Sequence, residues 1–126
     1  MSKYLLIMRG TDESNAAMMA SIEEGIARTG VFVEEAIKAG VLLGAEGLDD
    51  PAKGAVVDFS GETPVVTDGP YGETKELFGG FFLVDVASKQ EAIEWAKRVP
   101  VSPGAKIEVR RVPGDDEVPT DSTVQP

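Results

Sequence analysis

The chain has 126 residues, room for one domain of ordinary size but not for two. Acidic residues number 22 against 12 basic ones, a formal net charge of −10, which argues against nucleic acid or an anionic membrane as partner. There is no cysteine and no histidine, so thiolate nucleophiles, disulfides, iron–sulfur clusters, most zinc sites and every Ser-His or Cys-His dyad are excluded.

With 42% hydrophobic residues, a core is attainable without metal or disulfide. The short apolar run after Met1 ends at Arg9, too soon for a secretory leader, and nothing approaches the roughly 20 apolar residues of a membrane span. A cytoplasmic location is the expectation.

Tyr4 to Met8 is apolar at nearly every position, the pattern of a strand with both faces in contact. Residues 10–20 read as a loop with at most one helical turn. A helix is predicted from Ser21, where Ser21-Ile22-Glu23-Glu24 fits a capping box. Its apolar stripe is Ile22, Ile26, Gly30, Val33 and Ile37, with Gly40 as the stop and Gly30 read as a point of close approach to a sheet. Val41 to Glu46 is a second strand. Ala55–Phe59 and Thr63–Thr67 then flank Ser60-Gly61-Glu62 as a hairpin.

After a loop from Asp68 to Glu76, Gly79-Gly80 leads into the apolar strand Phe81–Val86. Ser88-Lys89-Gln90-Glu91 is a second capping box, opening a helix with Ala92, Ile93, Ala96 and Val99 on its apolar face and Pro100 as its end. Ala105–Val112 alternates apolar and charged residues as a half-exposed final strand does. Residues 1–112 thus form the domain, and the acidic, proline-bearing stretch 113–126 is expected to be disordered.

This order, β-α-β, a hairpin insertion, then β-α-β, predicts an α+β fold, a ferredoxin-like sandwich with its helices on one sheet face. The other face would be open although the two central strands are apolar at successive positions. A second copy packed sheet against sheet would cover it, so a homodimer is expected.

Several segments resemble a known family: Lys3-Tyr4-Leu5-Leu6-Ile7, Ala39 to Leu48, Val66 to Glu76, Gly79-Gly80-Phe81 and Glu91 to Ala96. They look like the YCII-related family in its DGPF-domain branch, over about residues 1–112. The resemblance implies a dimeric α+β barrel. The broader family's His–Asp active-site pair cannot be carried over to a chain without histidine. The branch is often encoded beside extracytoplasmic-function sigma factors, which implies a regulatory setting. Tyr71 stands where the branch's motif has phenylalanine.

Asp68, at a strand end beside Gly69 and Pro70, is a candidate general base or ligand anchor, or equally the cap of its own turn. Glu46 would supply a second carboxylate for acid–base work, or serve as a charge protecting a sheet edge. Arg9 is a candidate clamp for a ligand carboxylate, or the partner of Glu46 or Asp68 in a structural ion pair. Tyr71, Glu73 and Lys75 are the remaining ligand-binding candidates, against the alternative of a solvated loop. Asp49, Asp50, Asp58 and Glu62 lack the spacing of a calcium loop, and neither a metal nor a cofactor is predicted.

Two functions fit. One is a homodimeric small-molecule-binding protein, extending to an enzyme using carboxylate acid–base chemistry. The other is a non-catalytic regulatory module of a sigma-factor system, for which an exposed aromatic patch at Trp95 or Tyr71 would be the mark.

Overall fold

The computed structural model describes residues 1–68, 77–114 and 117. In chain order the elements are β1 (Ser2–Gly10), α1 (Asp12–Ala20), α2 (Ile22–Lys38), β2 (Leu42–Gly47), β3 (Ala55–Asp58), β4 (Val65–Asp68), β5 (Leu77–Val86), α3 (Lys89–Ala96) and β6 (Lys106–Val112). A single 3₁₀ turn at Pro51–Lys53 precedes β3. Four strands make one antiparallel sheet in the order β2-β5-β1-β6, while β3 and β4 pair only with each other as a separate ribbon.

Strand periodicity sends alternate side chains to opposite sides of the sheet. Tyr4 and Leu6 of β1 and Phe82, Val84 and Val86 of β5 point to one side. There they meet Phe32 and Ala36 of α2 and Ala92 and Trp95 of α3, so these two helices cover the same face. Phe32 joins the two helices to the sheet, edge-on to Phe82 at 4.9 Å and to Trp95 at 6.1 Å between ring centroids. Arg98 lies 4.2 Å over the Trp95 ring and pairs with Glu35, closing the core's rim. Burying each large side chain of this set stabilises the fold by about 1.5–3 kcal/mol. The result is an α+β fold with an antiparallel sheet, as the segment order predicts.

Among the described residues Gly40, Gly80 and Gly104 have positive φ, and the first two shape the fold around β2 and β5. Gly40 has φ +73° and donates to the Ile37 carbonyl, ending the helix where the sequence places the stop. At Gly80, with φ +146°, a Cβ would lie 2.5 Å from the Glu46 carbonyl oxygen, so β2 approaches β5 closely only because no side chain intervenes.

Several details depart from expectation. Residues 12–20 are not loop but the helix α1, opened by a reciprocal Thr11–Ser14 capping box. The signal is weak in sequence because Ser14, not a glutamate, closes the box. Ser21 stands between α1 and α2, but its side chain makes no cap; the hydroxyl instead donates to the Ala17 carbonyl at 3.4 Å. The face of α2 that meets the sheet is centred on Phe32 and Ala36. Ile22, Ile26 and Ile37 are 41%, 66% and 61% exposed. Gly30 is exposed too, with open space where a Cβ would stand, so it mediates no close approach. The apolar arc of α2 is wider than the groove it fills, and the isoleucine half turns outward.

At α3 the Ser88 hydroxyl accepts from Glu91 N as the sequence predicts, and the Glu91 carboxylate accepts from Ala87 N. The helix ends at Ala96, a turn before Pro100. The hairpin's strands stop at Asp58 and start again at Val65. Asp58 turns the chain by accepting from Ser60 N at 2.8 Å and Ser60 Oγ at 2.6 Å, and Pro64 has no N–H for the ladder. Most of the stretch 113–126 lies outside the described residues, but Glu117 reaches back to pair with Arg111.

Candidate functional site

The second side of the sheet carries the candidate residues. Cross-strand partners share a face, so the register gives its rows directly. Glu46, Phe81, Ile7 and Glu108 form one row across β2, β5, β1 and β6. Gly44, Leu83, Leu5 and Arg110 form the next, and Asp85, Lys3 and Val112 a third. Beyond the first row, Arg9 stands between Phe78 and Lys106. The centre is therefore apolar and the rim charged. Helices α2 and α3 pack on the other side, and Ile7 is nonetheless only 7% exposed.

Arg9 Nη1 lies 3.3 Å from Glu108 Oε1, and the other oxygen of Glu108 lies 3.5 Å from Arg110 Nε. Glu108 thus bridges two guanidiniums. With the Arg9 and Glu108 side chains 39% and 33% exposed, the pair adds little stability but fixes where the Arg9 fork sits. Sequence reasoning names Glu46 or Asp68 as the partner of Arg9 and misses Glu108. The signal was the phase of β6, in which Lys106, Glu108 and Arg110 all point away from Ile107 and Val109.

Glu46 shares this face but sits on β2, two strand spacings from β1, roughly 10 Å away. It is exposed, with no side-chain hydrogen bond or ion pair among the described residues. Asp68 ends β4 opposite Ala55, also exposed, and the ribbon packs chiefly on itself. The described residues therefore bring Arg9, Glu46 and Glu108 to one face and leave Asp68 on another element. Tyr71, Glu73 and Lys75 lie outside the described residues.

Three carboxyl groups away from this face are lowered by their neighbours. Asp58 is held below the ordinary carboxylate value by the Ser60 hydroxyl and then the Ser60 amide. Glu94 is lowered by its hydrogen bond and charge pairing with Lys97, and Glu117 by Arg111 and the Gly114 amide. All three are exposed and stabilise a turn, a helix and a strand end. Among the described residues no group of three or more acidic side chains is placed to hold a metal ion. Among the described residues no helix is long and apolar enough to cross a membrane. Trp95 is 8% exposed inside the core, which removes the aromatic patch that would have marked a docking module there.

The Arg9 face arises from strands that span the chain from end to end, and two comparisons with known proteins bear on it. Over 38 residues the chain is 53% identical to an uncharacterised protein of Rhizobium meliloti (strain 1021), a stretch covering 30% of this chain and only 30% of that relative's length. The model of the YCII-related domain matches residues 3–113, from the start of β1 to just past the end of β6. On that match the chain belongs to the family of YCII-related domains.

Proposed function

We propose that the chain works as a homodimer that binds a small anionic molecule at the Arg9 end of its open sheet face. The observation that carries this reading is the Glu108-bridged pair of guanidiniums beside an apolar surface of Leu5, Ile7, Phe81 and Leu83. The planar fork of Arg9 suits a carboxylate, and the apolar centre suits the body of the ligand. If the ligand is turned over, Glu46 on the same face is the residue for proton transfer. Asp68 would enter from the end of β4, and Tyr71, Glu73 and Lys75 follow it in sequence.

The strand order and the two helical crossovers support a ferredoxin-like sandwich. An apolar sheet face opposite the helices supports pairing into an α+β barrel. Within the family, the motif Val66–Glu76 supports the DGPF branch. A cytoplasmic setting is part of the same reading.

The test is a thermal-shift screen of small carboxylates against the wild type and Arg9→Gln, with native mass measured for both. A dimer is expected, with at least one compound raising Tm in the wild type only. A monomer, or an equal rise in the variant, would refute the proposal.

A second reading has one observation in its favour. The outward stripe of Ile22, Ile26 and Ile37 on α2 offers a surface for another protein, as a regulatory module of a sigma-factor system would need. Substituting Ile26 by Ser would then abolish partner binding while leaving ligand binding intact.

A further inference from the structure

The β3–β4 ribbon is the least explained part of the molecule. Two strands alone are marginal in water, and this ribbon packs chiefly on itself. Its two faces expose Val56 and Val65 on one side and Val57 and Val66 on the other, at 39–65% exposure, with Phe59 at 74% beyond the ladder. From residue 54 to residue 68 there are three acids, Asp58, Glu62 and Asp68, and no lysine or arginine. Apolar faces with only negative charge call for an apolar counter-surface rimmed by cations.

Such a surface exists on the open side of the sheet. Its β2–β5 half carries Glu46 and Asp85, while its β1–β6 half carries Lys3, Arg9, Lys106 and Arg110 around Glu108. The ribbon is also rooted at the right end. β2 leaves the sheet at Gly47 and β5 enters beside Gly10, the same end at which Arg9 pairs with Lys106. A two-fold axis parallel to the strands keeps like ends together and lays the β2–β5 half of one sheet over the β6–β1 half of the other. It thereby brings each acidic ribbon to the cationic half of its partner.

Resting on the dimer proposed above, we propose that the β3–β4 hairpin is an arm exchanged between two copies of the chain. Each arm lies against the Arg9–Lys106 end of the other copy's open face, its valines on the apolar rim and its acids beside the cations. The ligand site is then walled by both chains, with Asp68 supplied by one and Arg9 by the other.

The absence of cysteine makes single thiols unique reporters. Full-length Asp68→Cys is co-expressed with Lys106→Cys, or with Lys3→Cys at the opposite end of the same face, under different tags. Both pairs are treated with a short bismaleimide, and native mass is measured alongside. The expected result is a dimer whose mixed Asp68–Lys106 cross-link is in clear excess over Asp68–Lys3. Equal or reversed yields in a native dimer overturn the arm while the dimer stands. Linkage only within a doubly substituted Asp68→Cys/Lys106→Cys chain also overturns it, because the ribbon would then cover its own sheet. A monomer overturns both proposals.

As a second arm, Val57→Thr with Val66→Thr changes a face remote from the core. It is expected to raise the dimer dissociation constant at least about tenfold, with circular dichroism unchanged. An unchanged constant counts against the exchange.

Discussion

Leu6 and Ile7 are neighbours in β1, and they fall on opposite sides of one sheet. Leu6 is fully buried, under α2 and α3 with Phe82, Val84 and Val86. Ile7 stands with Phe81, Leu83 and Leu5 on the side away from α2 and α3, ringed by Arg9, Glu108, Arg110 and Glu46. Both sides are apolar at their centres, but α2 and α3 close only one. The side under the helices holds the fold together, and the other side carries the residues proposed above to bind a ligand. Substitutions on the two sides should therefore separate stability from assembly and binding.

The largest effect belongs to the closed side. Phe82→Ala removes the ring that Phe32 packs against and should cost about 3–5 kcal/mol in denaturant unfolding. Phe81→Ala, one residue away on the open side, should cost the isolated chain much less while shifting its native mass toward monomer. Equal destabilisation by the two would erase the distinction between the sides. Next comes Gly80→Ala, where φ +146° alone costs about 1–3 kcal/mol and the Glu46 carbonyl leaves no room for a Cβ. Its unfolding midpoint should fall clearly below that of Gly30→Ala, which meets open space on an exposed helix and should gain stability.

A smaller effect separates the caps. Ser88→Ala loses an acceptor for the Glu91 amide and should cost about 1 kcal/mol, whereas Ser21→Ala, with no cap bond to lose, should change stability by much less. Equal losses would mean that Ser21 caps in solution.

The smallest is a pH effect in the ribbon. The folded pKa of Asp58 is lowered from an ordinary 3.8, so its contribution is complete above that value and is lost as pH falls through the folded one. Ribbon amide signals followed by NMR on acidification should weaken in that window, and Asp58→Asn should remove the transition. A transition that persists in the variant would assign it to another carboxylate.

Much of the fold could be read from the chain because its strongest signals are local. The apolar runs of β1 and β5, the alternation in β6, the Ser88 cap and the Gly40 stop each depend on a few adjacent residues. What could not be read depends on competition between surfaces. The arc on α2 offers isoleucines at one edge and Phe32 with Ala36 at the other. Only the shape of the groove beside Phe82 and Trp95 decides that the aromatic edge goes in. α1 was hidden because its opening box ends in Ser14.

The site divides in the same way. The outward phase of Arg9 and Glu46 follows from strand periodicity, but the pairing of Arg9 with Glu108 follows from the β1–β6 register, which joins residues 99 apart in the chain. Asp68 looked like the turn-forming aspartate. The turn it would cap runs into residues 69–76, outside the described residues, whereas the hairpin's own turn is made by Asp58, whose carboxylate accepts from Ser60.

Trp95 is the chain's one tryptophan, seated edge-on to Phe32 and beneath the Arg98 guanidinium. Its indole emission therefore reports the closed side alone. Unfolding must disturb it, while the proposed pairing, arm exchange or ligand capture on the other face would leave its surroundings in place. The molecule thus carries an internal optical reference that follows packing and is blind to association.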